Sequence, residues 1–128
     1  MKILGKLSET VYVKVIENGY LVTISNSPKE VRFNSSTPFT TQRLAIGEFT
    51  PAEILLKEIL KKTARSLFQA SPIVIIHQII KNENGLSEVE NRVLRELALG
   101  AGARSVYIWQ GRHLTKDDIS NEIYKKIT

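Results

Sequence analysis

The sequence predicts an α/β domain with a mixed sheet, built in the order β-β-β-α-β-α-β-α. Three observations lead to this prediction. Residues 10–33 hold short alternating runs of apolar and polar residues, separated by turn-forming residues. Two later runs, at residues 73–80 and Ser105–Trp109, are almost continuously apolar, as strands are when both faces of a sheet are covered. Segments with helical spacing surround these runs, which indicates parallel strands joined by helices.

The N-terminal part of the chain predicts an antiparallel meander. Thr10–Ile16 (TVYVKVI) alternates and is rich in β-branched residues, so it is predicted to be the first strand. Asn18 and Gly19 predict a two-residue hairpin of type I′, because both central positions of that turn need positive φ. Residues 20–24 are predicted to return as the second strand, and residues 29–33 to form the third.

The first predicted helix begins at residues 50–53 (TPAE). Thr50 can cap it, the proline suits the first helical position, and Glu53 completes a capping box. Apolar residues then recur at helical spacing as far as Phe68, with lysines largely between them. This pattern predicts an amphipathic helix of about five turns that ends before Pro72.

The remaining elements alternate between strand and helix. Residues 73–80 (IVIIHQII) predict a buried strand, and a second helix is predicted from residues 86–87 to a stop at residues 100–102 (GAG). Ser105–Trp109 is the last predicted strand, and residues 115–127 are predicted to be a capped terminal helix. Three antiparallel strands followed by two right-handed crossovers are the arrangement of the ribonuclease-H-like fold, here as a single domain over residues 1–128.

Composition restricts the function. The 128 residues contain no cysteine, so disulfides and thiolate metal sites are excluded and a cytoplasmic location is expected. No apolar run suits a transmembrane helix, and the N-terminal MKILGKL is expected to lead into the first strand rather than to anchor the chain in a membrane. The net charge of +5 is spread along the chain, which is typical of a solvated surface.

The segment LSEVENRVLRELALGAGARSVYIW, at residues 86–109, resembles the bacterial actin-like cell-shape proteins of the MreB type. The resemblance extends to the helix from Thr50 and, more weakly, to the N-terminal hairpin. Actin-like ATPases contain the ribonuclease-H-like fold twice. The resemblance therefore implies one truncated half-module, without the second phosphate loop and the adenosine pocket of the family.

The chain departs from that family at the nucleotide site. The first phosphate loop of the family carries an Asp that organises Mg²⁺, then a Gly and a Thr. Aligned on the hairpin, this chain has Lys14, Ile16 and Glu17 at those positions, and Gln110-Gly111 where the family carries an acidic pair. The expectation is therefore that the chain binds no nucleotide and no other cofactor.

Other catalytic chemistry is poorly represented in the sequence. Two-metal phosphoryl transfer needs several converging carboxylates, yet the first strand offers only Glu17 and residues 73–80 offer none. His77 and His113 lie far apart without a cysteine, so His77 is expected to be a hydrogen-bonded core or edge histidine rather than a metal ligand. These observations predict a protein that is not an enzyme.

The candidate partner-binding residues are Trp109, Gln110, Arg112 and His113. They lie at the carboxyl edge of the predicted sheet, where α/β folds usually place ligands, and Trp and Arg are common at binding hot spots. A Trp109 that is simply buried, with its indole N–H satisfied, is the alternative.

The predicted function is that of a cytoplasmic bacterial module that binds a protein partner. By family analogy, the partner is an actin-like filament protein, a cell-envelope component or a second copy of the chain, and binding modulates cell shape or filaments. An immunity-type inhibitor of a partner protein is one alternative. A nucleic-acid-binding module is another, although aromatic platforms and a recognisable motif are missing.

Overall fold

The computed structural model describes residues 9–24, 27, 29–63 and 71–126. A five-stranded mixed sheet has the strand order β3-β2-β1-β4-β5. Strand β1 lies at the centre, antiparallel to β2 and parallel to β4, while β3 pairs antiparallel with β2 and β5 runs parallel to β4. The strands are β1 Thr10–Ile16, β2 Gly19–Ile24, β3 Glu30–Asn34, β4 Ile73–Gln78 and β5 Ser105–Trp109.

The helices are α1 Phe49–Thr63, α2 Glu88–Gly100 and α3 Lys116–Ser120, followed by a 3₁₀ turn at Ile123–Lys126. The predicted α/β class and element order are therefore confirmed. Strands β1 and β5 have the predicted bounds, and β2 and β3 differ from theirs by one residue. None of the helices in the described ranges is long and apolar enough to cross a membrane.

Strands β1 and β4 are buried on both faces of the sheet, whereas the edge strand β3 is largely exposed. Successive side chains of a strand point to opposite sides, so each of the two buried strands contributes to two clusters. Val11, Val13 and Val15 of β1 pack with apolar residues of α1 and α2 on one face. A smaller cluster forms on the other face, beneath the C-terminal helices: Tyr12, Ile75, Trp109, Leu114 and Tyr124. Each fully buried aliphatic side chain contributes about 1.5–3 kcal/mol to folding. Lys14 shares its side of β1 with Tyr12 and so belongs to the smaller, more polar face.

The second helix begins where the sequence predicts. Ser87 caps it, since the Ser87 hydroxyl accepts a hydrogen bond from the Glu90 N–H at 3.1 Å. The Glu90 carboxylate in turn accepts one from the Ser87 N–H at 2.9 Å. The helix ends at Gly100, and Gly102 just beyond has a φ of +114°, in the left-handed region that favours glycine.

The predicted type I′ turn at Asn18-Gly19 is wrong by one residue. Ile16 pairs with Gly19 across the hairpin, so Glu17 and Asn18 are the two loop residues. Asn18 has a φ of 55°, but neither Glu17 nor Gly19 has a positive φ, which rules out the type I′ geometry.

Tertiary contacts explain this register. The Asn18 side-chain oxygen accepts hydrogen bonds from the backbone N–H groups of Phe39, at 2.9 Å, and Thr40, at 2.8 Å. Gly19 has a different role, because a Cβ there would collide with the Phe33 carbonyl of β3. The glycine therefore lets β3 approach β2 and does not supply the turn conformation.

The first helix begins one residue earlier than predicted, and the predicted capping role of Thr50 is wrong. Helix α1 begins at Phe49, so Thr50 lies inside its first turn instead of capping it. The Glu53 carboxylate lies against Gly100 of α2, where a Cβ would displace it. The predicted continuation of this helix to Phe68, like the N-terminal MKILGKL, lies outside the described residues.

Two further elements are shorter than predicted. Strand β4 ends at Gln78, whose side-chain amide donates to the backbone carbonyls of Ile80 and Lys81 and so closes a turn. The terminal helix predicted at residues 115–127 is interrupted after Ser120, and Glu122 has a φ of 56°. The interruption brings Tyr124 onto Tyr107 of β5, with ring centroids 5.1 Å apart.

Candidate functional site

Lys14 is the unusual residue of the central strand. It is only 8% exposed, although it carries an ammonium group. Its nitrogen lies 2.6 Å from a carboxylate oxygen of Glu30 and 3.2 Å from Nδ1 of His113. A buried ammonium is tolerated when opposite charge and hydrogen bonds compensate for the lost hydration, and both are present here.

Strand register brings the remaining residues of this cluster to the same face. Lys14 pairs with His77 of β4, and Tyr12 pairs with Thr23, which in turn pairs with Glu30. The cluster thus contains Tyr12, Lys14, Glu30, His77 and His113, and we call it the polar cluster. It occupies the side of the sheet that α3 covers.

Tyr12 and His77 form the buried part of the polar cluster. The Tyr12 oxygen lies 2.7 Å from Nδ1 of His77 and accepts a hydrogen bond from the Leu114 N–H at 3.1 Å. A hydrogen bond with the backbone of Gly111 raises the pKa of His77, so the imidazole donates in that contact. Because Nδ1 already faces the Tyr12 hydroxyl, we assign the proton to the other ring nitrogen. Nδ1 of the neutral ring is therefore the acceptor, and Tyr12 donates to it.

Burial keeps His77 neutral. Desolvation is the main cause that lowers its pKa to about 4, and the nearby charges of His113 and Lys14 act in the same direction. The His77 and His113 rings lie edge to face, with centroids 5.6 Å apart. Burial also raises the pKa of the Tyr12 hydroxyl. At neutral pH this part of the cluster is therefore an uncharged hydrogen-bonded pair beside a lysine.

Of the predicted partner-binding residues, Trp109 ends β5, and Gln110, Arg112 and His113 lie in the loop that follows it. Trp109 is buried, and its indole N–H donates to the Arg112 carbonyl at 2.7 Å. Arg112 makes a two-pronged ion pair with Asp118, which lowers the pKa of that carboxyl group. Gln110 accepts a hydrogen bond from the Leu86 N–H at 3.1 Å. The alternative considered for Trp109, burial with a satisfied indole, is what the structure shows.

The structure joins this loop to the polar cluster through His113, which the sequence grouped with Trp109 rather than with Lys14. The roles of Tyr12 and Glu30 were not predicted from the sequence. The burial of Lys14 could have been expected from the sequence. Strand alternation places it on the same face as Tyr12, and its two neighbours in the strand, Val13 and Val15, are apolar. Glu30 carried no such signal, since only strand pairing brings it near Lys14.

No protein-family model matches the chain. It is 31% identical over 96 residues to the Escherichia coli K12 protein YjaA, a match that covers 70% of this chain and 74% of the relative. The chain belongs to the YjaA family. That relative is described as an uncharacterized protein, so membership in the YjaA family brings no activity with it.

In this member of the YjaA family, metal binding has little support from geometry. Within the described residues there is no group of three or more His, Asp or Glu side chains placed to hold a metal ion. The Nδ1 atoms of His77 and His113 are already engaged by Tyr12 and Lys14. The prediction that His77 is a hydrogen-bonded core histidine agrees with its contacts.

Proposed function

We propose that this chain is a non-enzymatic, cytoplasmic module that binds a protein partner through the loop at residues 110–113. We further propose that its fold is ribonuclease-H-like and similar to one half of an MreB-type actin-like module. The strand order β3-β2-β1-β4-β5, with parallel crossovers on one side of β1, supports this fold assignment. The resemblance of residues 86–109 to that family is its other support.

The observation that carries the proposal is the fixed geometry of an exposed loop. Residues 110–113 are exposed, yet buried Trp109 holds the Arg112 carbonyl and Asp118 holds the Arg112 guanidinium. Such a loop loses little conformational entropy when a partner binds, which favours affinity. Within this loop, Gln110 and His113 each use one side-chain atom in a contact inside the chain, with the Leu86 N–H and with Lys14. Both residues are exposed, and their other polar atoms are the groups that we propose for specific recognition.

The surroundings of Lys14 support a function without ATP. In the alignment with actin-like proteins, Lys14 replaces the aspartate that organises Mg²⁺. Its ammonium is buried and paired with Glu30 at 2.6 Å, so a positive charge stands where a Mg²⁺ complex would need a negative one. A binding module that does not switch with nucleotide fits this arrangement. The partner we propose is an actin-like filament protein.

A quantitative pull-down tests the proposal. The baits are the wild-type chain, a Gln110→Ala/His113→Ala variant, and a Lys57→Ala control on the exposed side of α1. We expect wild type and control to retain the same protein from a lysate of the source cells, and the loop variant to retain roughly tenfold less, a loss of about 1.4 kcal/mol. Equal retention by the loop variant would contradict the assignment of the loop.

Three further readouts separate the alternatives. Retention that collapses as salt rises would favour nucleic-acid binding, because phosphate contacts release counterions. Recovery of a single toxin-like protein would favour the immunity-type alternative. A rise in melting temperature when ATP and Mg²⁺ are added would reopen the question of nucleotide binding, since a ligand that binds the folded state stabilises it.

A further inference from the structure

We propose that the cavity between the sheet and α3 is a binding site for a small organic monoanion with an apolar body, such as an aromatic or short-chain carboxylate. The cavity has a volume of about 370 Å³. Small-molecule sites typically span about 300–1,000 Å³, so the ligand is a small one. This inference concerns a different surface from the exposed loop, and either proposal can fail without the other.

The walls of the cavity select an apolar body. Leu114 and Ile119 come from the C-terminal segment and face the sheet across the cavity. Tyr12 contributes its ring from β1, and Ile24 contributes a side chain at the end of β2. Binding sites for small molecules are mostly apolar, with a few polar groups that fix the orientation of the ligand. Here, Tyr12, Ile24, Leu114 and Ile119 form the apolar part of the enclosure. Polar and charged side chains complete the lining: Lys14, Thr23, Ser27, Glu30, Lys116 and Ser120.

The charges of the lining select an anion. Lys14 and Lys116 carry two positive charges and Glu30 carries one negative charge, so the lining has a net charge of +1. An ammonium group has three N–H donors, and among the described residues Glu30 and His113 engage two of those of Lys14. The third is left for a ligand oxygen.

Unequal burial of the ion pair decides the sign of the local field. The Lys14 side chain is 10% exposed, whereas that of Glu30 is 40% exposed. Solvent screens the Glu30 carboxylate more strongly, so inside the cavity the ammonium is the dominant charge. A carboxylate that enters beside Lys14 gains a charge-assisted hydrogen bond from a largely buried ammonium.

Amide NMR spectra of the isotope-labelled full chain test the proposal, with benzoate and hexanoate as probes and benzamide as the neutral analogue. We expect both anions to shift the amide signals of Thr23, Leu114 and Ile119, and benzamide to bind roughly tenfold more weakly than benzoate, about 1.4 kcal/mol. Lys14→Met is expected to weaken benzoate binding by a similar factor. Lys57→Met, on an exposed position of α1, is the matched control and is expected to leave binding unchanged.

Absence of these shifts at millimolar anion, or equal binding of benzamide and benzoate, would overturn the proposal. So would unchanged benzoate binding in Lys14→Met. If Lys14→Met does not fold, Ser120→Trp provides an independent test, because Ser120 lies on the exposed rim of the cavity. The bulky side chain is expected to block entry, and unaltered binding in this variant would refute the location.

Discussion

The Glu30 carboxylate on β3 reaches over β2 to the Lys14 ammonium on β1, and the two groups lie 2.6 Å apart. The two residues are not directly opposite, since Lys14 is in register with Leu21 and Arg32, and Glu30 is in register with Thr23 and Tyr12. This diagonal contact gives the buried ammonium of the central strand a counter-ion. It also links the edge strand of the sheet to the polar cluster.

The two partners of this ion pair are expected to respond unequally to substitution. Glu30→Gln leaves the buried ammonium without its counter-ion and is expected to lower the free energy of unfolding by about 1–3 kcal/mol. Lys14→Met removes the charge that is costly to bury and leaves Glu30 partly in solvent, so its effect is expected to be smaller than about 1 kcal/mol. Urea unfolding of both variants measures the difference. A larger loss in Lys14→Met would contradict this account of the pair.

His77 is expected to make stability depend on pH. Its pKa falls from an ordinary 6.5 to about 4 in the folded chain, so between these values the unfolded chain binds a proton that the folded chain does not. The contribution of His77 to the free energy of unfolding is therefore fully present above pH 6.5. As the pH falls toward 4, the free energy of unfolding decreases by up to about 3 kcal/mol.

His77→Asn tests this dependence. The Asn side-chain oxygen can still accept from Tyr12, but the residue does not titrate. We expect the variant to be less stable than wild type at neutral pH and to lose less stability between pH 6.5 and 4, as followed by urea unfolding. Tyr12, Lys14 and His113 face this ring and are not substituted in the variant. Parallel pH profiles for the two proteins would show that His77 is not responsible.

The side-chain hydrogen bonds of Asn18 are expected to affect the stability of the chain more than its positive φ does. Asn18→Gly relaxes the backbone at a φ of 55° but removes the acceptor for the N–H groups of Phe39 and Thr40. The net loss is expected to be about 1–2 kcal/mol. Asn18→Asp keeps an acceptor in place and serves as the control, with a much smaller loss. Thermal unfolding distinguishes the two, and a stabilised glycine variant would show that the turn conformation dominates.

Trp109 is expected to hold the exposed loop in place. Trp109→Phe keeps an aromatic ring in the core but removes the N–H that donates to the Arg112 carbonyl. Unfolding free energy is expected to fall by about 1–2 kcal/mol. Amide hydrogen exchange at residues 110–113 is expected to become faster, and partner retention in the pull-down to fall with it. Unchanged exchange would show that the ion pair of Arg112 with Asp118 is sufficient to order the loop.

Local signals in the sequence determined the order of the elements. The alternating pattern of Thr10–Ile16 and the apolar run of Ser105–Trp109 mark strands whose bounds the structure reproduces. Ser87 and the glycines after residue 99 mark both ends of α2. These signals depend on residues close together in the chain, where side-chain periodicity and capping act directly on the backbone.

Tertiary contacts decided the features that the sequence did not predict correctly. The turn register follows from bonds between Asn18 and the segment at Phe39 and Thr40, about twenty residues away. The polar cluster likewise forms only because strand pairing brings Lys14 beside Glu30 and His77, while a loop from the far end of the chain supplies His113. Strand alternation alone put Lys14 on the face of Tyr12; its burial, its partners and the cavity beside it are consequences of packing between distant parts of the chain.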